Sequence, residues 1–202
     1  MNDKFFDLKK EKQDRMINAA LKVFAMNGYE HASTDDIVRE AGISKGLLFH
    51  YFINKIGLYS FIYDYSVKYL MLELSTGVSK GETDYFDLVR QIRGAELQVM
   101  YNYPYMLQFL NESRKENVSE ALMATEDKRG VLPHQYNQLM RRADLSHFRP
   151  ETDIEKLTKM IELTVSGLMT ERFVNGDFQP ELFGEEIEKY LIMLKKLSYQ
   201  EV

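Results

Sequence analysis

Apolar side chains recur at helical spacing along almost the whole chain, and the interruptions fall where helices end. Ile17, Ala20, Leu21 and Phe24 repeat at i, i+3, i+4 and i+7, predicting a helix from near Leu8 to Asn27 that Gly28 closes. Ser33, three residues before Asp36, makes a capping-box-like start for a second helix, with Ile37, Val38 and Ala41 as a narrow apolar face. Gly42 suits the left-handed residue that ends it, and Ile43 packs back into the angle. Ser44 then caps a short third helix to Phe52, in which Leu48 and Phe52 face Ile37 and Ala41. Two short helices joined by a chemically specified turn have the outline of a helix-turn-helix. With the preceding helix they form a three-helix head sharing Ile17, Leu21, Phe24, Ile37, Leu48 and Phe52.

Beyond Asn54 the pattern stays helical. Leu58, Phe61, Ile62, Tyr65, Tyr69 and Leu72 mark a long helix to about Thr76, interrupted by Gly77 and Gly81. Helices are expected over 84–102 and 104–116, separated at Pro104, and a helical region over 119–144 is interrupted around Gly130 and Pro133. The last third holds a helix from Asp153 to Asn175, ended by Gly176, and after Pro180 another from Glu181 to Ser198. No strand pattern appears. The expected fold is therefore all-α, with about nine helices. A small helix-turn-helix head at 1–53 is expected to precede a larger helical body at 54–202.

The final two helices form an antiparallel pair. Ile161, Val165 and Leu168, with Phe183, Ile187, Leu191 and Leu194, supply more apolar surface than one body needs, and are the expected interface of a two-fold homodimer. Completion of the body's own core is the other reading of the same stripe.

Charge distribution matters more than its total. The chain has 202 residues and a net charge of -5, yet residues 1–56 hold nine Lys/Arg against eight Asp/Glu, and the remainder seventeen against twenty-three. The acidic excess belongs to the body, and the head is free to meet phosphates through local lysines. From Ala41 to Tyr63 there is no acid at all. On the third helix Gly46, Leu47 and His50 lie opposite the buried face, flanked by Phe49 and Tyr51. Lys45 and Lys55 are placed to reach phosphates, and Lys9, Lys10 and Lys12 to track a backbone. A plain amphipathic pair of helices in an ordinary core explains the apolar pattern equally well, but not the acid-free window.

Taken together, the run Phe24-Ala-Met-Asn-Gly28-Tyr29, then Ser33 to Phe52, then Asn54-Lys55 and Leu58-Tyr59, resembles the N-terminal domain of the tetracycline-repressor (TetR-like) family of bacterial transcriptional regulators. The resemblance covers the first quarter of the chain and constrains residue types across three helices. It implies a homodimer that binds a palindromic double-stranded DNA operator and releases it when a small-molecule effector enters the body. It further implies that Thr34, Tyr51 and Lys55 hold phosphates, that Ser44, Lys45 and Gly46 sit at the start of the recognition helix, and that Leu47, Phe49 and His50 meet base edges or backbone. Leu47 and Phe49 depart from the more polar residues of relatives, so readout rests on few hydrogen-bonding groups, with Lys45, His50 and apolar contacts to thymine methyls contributing.

For an effector, Tyr101, Tyr105, Met106, Phe109, Tyr136, Met140, Met160 and Thr164 are the candidate lining of an apolar or amphipathic site, though aromatics and Met at helical spacing also suit a core. Glu96, Glu112 and Glu162 lie within apolar helices, where a buried unpaired carboxylate would favour a cationic ligand. The chain has no cysteine, which removes disulfides and thiolate metal sites or nucleophiles. His31, His50, His134 and His147 lack metal-ligand spacing, and no Gly-rich phosphate loop, G-x-S-x-G elbow or H-E-x-x-H occurs, so neither an enzyme nor a cofactor is expected. The charged start, Met1 to Lys12, has no signal-peptide core, and the expected location is cytoplasmic. An architectural or division-control DNA-binding protein without a ligand is the alternative reading.

Overall fold

The computed structural model describes residues 3–174 and 179–200. Its elements are a 3-10 turn at Asp3–Asp7 and eleven α-helices among the described residues: α1 Lys10–His31, α2 Thr34–Ala41, α3 Lys45–Phe52, α4 Lys55–Gly77, α5 Tyr85–Asn102, α6 Met106–Arg114, α7 Ser119–Met123, α8 Glu126–Arg129, α9 Val131–Met140, α10 Ile154–Val174 and α11 Pro180–Ser198. Only two isolated bridges, Asp84 with Asp144 and Phe148 with Tyr199, represent β-structure among them. The chain is all-α, as expected. The ambiguous stretch 119–144 resolves into three short helices, and Pro133 sits at the third position of α9, where its missing N–H costs nothing. The expected closure of α10 at Gly176 lies outside the described residues.

The chain divides into two compact units: 1–72 with 102–134, and 73–101 with 135–202. The first unit is larger than a head of 53 residues because α1 packs its second face on α6. Phe24 meets the Tyr59 ring at 5.0 Å, and Tyr59 meets Phe109 at 5.6 Å. Edge-on aromatic packing of this kind joins α1, α4 and α6. Gly28 (φ 67°, ψ -177°) breaks the helical backbone, and Glu116 accepts from the Tyr29 N–H at 3.0 Å while Glu120 accepts from its hydroxyl at 2.5 Å.

Two further joints of this unit were not visible as patterns. Phe5 is completely buried, with its ring 5.7 Å from Tyr51, 5.1 Å from Phe52 and 5.2 Å from Phe61. The Tyr103 hydroxyl accepts from Lys10 Nζ at 3.0 Å, donates to Asp14 at 2.7 Å and lies 2.7 Å from the Tyr65 hydroxyl. Burial, followed by these hydrogen bonds, raises the Tyr103 phenol above its ordinary range.

In the second unit α5 meets α11 through Arg90, whose Nε donates to both Glu188 oxygens at 3.0 and 2.9 Å. Asp84 accepts from Lys195 and the Tyr199 hydroxyl, each at 3.1 Å. Burial pushes the Asp84 carboxyl up, but the Asp87 N–H and Lys195 outweigh it and hold the group below its usual value. Ile161, Val165, Phe183, Ile187, Leu191 and Leu194 are buried in this unit. No helix among the described residues is long and apolar enough to cross a membrane.

Candidate nucleic-acid interface

The turn between α2 and α3 is built from local hydrogen bonds. Ser33 Oγ accepts from the Asp35 N–H at 3.2 Å and Ser44 Oγ from the Leu47 N–H at 3.2 Å, which caps both helices. Gly42 takes φ 63° and ψ 42°, so its N–H turns back onto Arg39 O at 3.3 Å and the Ile43 N–H reaches Val38 O at 3.0 Å. A side chain in that conformation would be strained, although nothing lies within 4 Å of where its Cβ would stand. Leu48 and Phe52 are buried, as the wheel predicts.

The exit of α3 is tighter. Ile53 has φ 67° and ψ -54°, and the Asn54 N–H donates to Phe52 O at 2.7 Å across it. That is a three-residue γ-turn with positive φ, rare for any residue and strained for a β-branched one. Asn54 Oδ1 then accepts from the Gly57 N–H at 2.9 Å. A Cβ at Gly57 would stand 2.2 Å from Phe52 O, so only glycine lets α4 start this close to α3. Sequence reasoning missed Gly57, whose signal is a glycine in the first turn of an otherwise strong helix.

The outward residues are now placed. Lys45, Gly46 and His50 are exposed, Leu47, Phe49 and Thr34 are half-buried, and Ser44 is the exposed cap. Lys45 Nζ lies 2.9 and 3.0 Å from the two Asp35 oxygens, a partner no spacing rule suggested. Tyr51 is 8% exposed, its ring against Phe5 and 4.9 Å from His50. Lys55 Nζ donates to Glu30 O at 3.1 Å and Ala32 O at 3.0 Å and sits 4.6 Å over the Tyr29 ring. A cation on the last carbonyls of α1 is well placed against the helix dipole, so Lys55 staples α1 to α4, a role not anticipated beside its expected phosphate contact.

Residues 16–60, which contain α2, α3 and the turns at either end of α3, match the family described as bacterial regulatory proteins, tetR family. The N-terminal part of the chain is thus similar to that family. Over 49 residues it is 45% identical to the HTH-type transcriptional regulator YuxN of Bacillus subtilis, a match covering 24% of this chain and 17% of that protein. Over 47 residues it is 40% identical to the regulator TtgW of Pseudomonas putida, covering 23% and 35%. The chain thus spans well under half the length of either relative. The fold of the whole chain is similar to the ketosteroid transcriptional regulator KstR2 of Mycobacterium tuberculosis, with TM-score 0.70 and 15% identity over 96% of this chain and 97% of that one. It is also similar to a TetR family regulator from Chloroflexus aurantiacus, with TM-score 0.63 and 18% identity over 99% of each. Both relatives, YuxN and TtgW, are HTH-type transcriptional regulators.

The expected effector residues do not share one compact unit. Tyr105, Met106 and Phe109 belong to the first, where Met106 and Phe109 are core. Tyr101, Tyr136, Met140, Met160 and Thr164 belong to the second. There Tyr101 and Met160 are half exposed, while Tyr136, Met140 and Thr164 are half-buried. Of the three acids set apart in the sequence, Glu112 pairs with Lys115 and Glu162 with Lys159 on the surface. Glu96 is buried but not alone: Arg93 Nη1 donates to it at 2.6 Å and the Tyr136 hydroxyl at 2.6 Å. The condition that would have favoured a cationic ligand is not met.

The residues named for the dimer interface also need reassignment. Six of the seven are buried in the second unit's own core, and Leu168 is half-buried. The periodicity found the inner stripe of α10 and α11. The outer stripe is apolar too: Met160 and Leu163 on α10, and Leu182, Met193 and Leu197 on α11, are each 45–63% exposed.

Proposed function

We propose that the chain is a homodimeric transcriptional repressor of the cytoplasm that binds a palindromic operator through α3 and is released by a small apolar or amphipathic effector held in its body, residues 54–202. The observation that carries the reading is α4. It starts at the strained exit of the recognition helix and continues unbroken from Lys55 to Gly77, leaving the first compact unit for the second at residue 73. An effector that prefers one arrangement of the second unit's helices thereby biases the separation of two α3 helices across a dimer. Operator half-sites repeat at about 34–36 Å, so a shift of a few ångströms lowers operator affinity.

On the operator, the N-terminus of α3 meets the groove with Lys45 and Thr34 at phosphates, Ser44 and Gly46 at close backbone approach, and Leu47, Phe49 and His50 toward the bases. With few hydrogen-bonding groups among them, part of the discrimination comes from DNA shape. The exposed outer stripe of α10 and α11 is the surface a second copy covers.

Selection of bound duplexes from a random pool tests the reading. A two-fold symmetric site is expected, and an asymmetric or featureless pool refutes it in favour of an architectural binder. Replacing Leu163 by Asp should convert the dimer to a monomer in sedimentation without loss of helical content. An unchanged sedimentation coefficient would remove α10 from the interface. For a given effector, linkage requires operator and effector to weaken each other by the same factor.

A further inference from the structure

Three buried side-chain polar atoms lack a hydrogen-bond partner among the described residues: Asn18 Oδ1, Gln108 Oε1 and Arg93 Nε. Arg93 alone is charged, and it belongs to the second unit. The polar groups of the unit's described core are engaged with other donors and do not pair with this Nε–H. Glu96, the only buried carboxylate of the unit's described core, already accepts from Arg93 Nη1 and from Tyr136. The Thr158 hydroxyl, 2.6 Å from the Tyr85 hydroxyl, donates its own proton to Ile154 O at 2.8 Å, so it receives the Tyr85 proton. Guanidinium groups hold five N–H donors in a fixed fork, and a buried donor without an acceptor is costly enough that native structures rarely keep one.

We infer that Arg93 is a ligand contact, and that its free Nε–H selects a neutral, largely apolar effector bearing a carbonyl or hydroxyl oxygen. The inference rests on the proposal that this chain answers to an effector. Charge decides the class. Glu96 at 2.6 Å already neutralises the guanidinium, and the field of Glu162 reaches it as well. A carboxylate ligand would bring one negative charge too many, and an ammonium would face Arg93 with no unpaired carboxylate to receive it. One hydrogen-bond valence remains, which recognises an oxygen lone pair. The described core of the same unit is apolar: Val89 and Ile92 on α5, Leu139 on α9, and Leu157 and Ile161 on α10 are all buried. Half-buried Met140, one turn from Tyr136 on α9, adds an adaptable side chain.

The arginine Nε–Hε resonance of the full chain, labelled with ¹⁵N, reads this directly. Arg93 is assigned by through-bond correlation and by loss of its signal in Arg93→Lys, which keeps the ion pair with Glu96. Titration with acetophenone should move that resonance saturably. Ethylbenzene, benzoate and benzyltrimethylammonium at the same concentrations should leave it in place. A resonance that ignores acetophenone, or follows ethylbenzene equally, overturns the inference. Operator affinity separates this from the broader reading. If acetophenone saturates Arg93 and operator binding is unchanged, the site stands and its coupling to DNA fails. If acetophenone releases operator equally well from Arg93→Lys, effector response stands and Arg93 is not its contact.

Discussion

Asp35→Asn should tighten DNA binding, because the best-placed cation of the recognition helix is held by a carboxylate on the same face. Lys45 Nζ is shared between the two Asp35 oxygens at 2.9 and 3.0 Å, with the side chains 49% and 68% exposed. An ion pair this exposed contributes about 0.2–1 kcal/mol. A phosphate that takes Lys45 must displace that carboxylate, so its removal returns about 0.2–1 kcal/mol per head. For two heads on one duplex this is about 0.4–2 kcal/mol, or roughly 2- to 30-fold in affinity. The dependence on salt should steepen as well, by about 0.9 in log K against log salt for each additional phosphate neutralised. Fluorescence anisotropy with a labelled duplex at several salt concentrations measures both. Lys45→Met is the control that assigns the cause: in its background Asp35→Asn should do little, since the pair no longer exists. Equal tightening in both backgrounds would mean that Asp35 acts only through the general field of the head, and no tightening would show that Lys45 does not meet phosphate.

Three other outcomes follow from the fold. Phe5→Ala empties a fully buried ring site between α3 and α4 and should cost about 3–5 kcal/mol in unfolding experiments; a loss below about 1 kcal/mol would mean the 3-10 turn is not docked in solution. Ile53→Gly relieves the positive φ of a residue that is 72% exposed and has little packing to lose. It should raise stability by about 1 kcal/mol against the 1–3 kcal/mol typical of such strain, and a lower melting temperature would refute the strain. Asp84 has a carboxyl below its usual 3.8 in the folded chain. Its contribution is complete above the unfolded value near 4 and fades as pH falls through the folded one. Asp84→Asn should therefore be less stable at pH 7 and converge on the parent as pH falls below the folded value; parallel curves throughout would exclude the linkage.

The helix-turn-helix was legible because its determinants are local. Ser33, Gly42 and Ser44 act on backbone groups within three residues of themselves, and the sequence states them outright. Phe5 was not legible, since one apolar pair in a charged stretch has no period, and its partners lie about 46 to 56 residues away. Lys55 was legible as a cation but not in its role, because the groups it binds are backbone carbonyls that carry no residue label. On α10 and α11 the spacing identified apolar faces, but a helix with two such faces does not declare which one its own core covers. Glu96 illustrates the same limit: its burial followed from its helix, whereas the pairing that decides its meaning depends on Tyr136, forty residues on.

The discontinuity of the first compact unit has a consequence for how the protein is made. α1 ends at His31, yet the helix that covers its second face begins at Met106. Synthesis proceeds at about 5–20 residues per second, so the head waits roughly 4–15 s after α1 emerges before α6 can dock. During that interval the Phe24 ring, joined from residue 59 onward by the Tyr59 ring, stands uncovered by Phe109. The DNA-binding head therefore cannot mature as an independent N-terminal piece, and a nascent chain interrupted before residue 106 presents an aromatic surface to other chains.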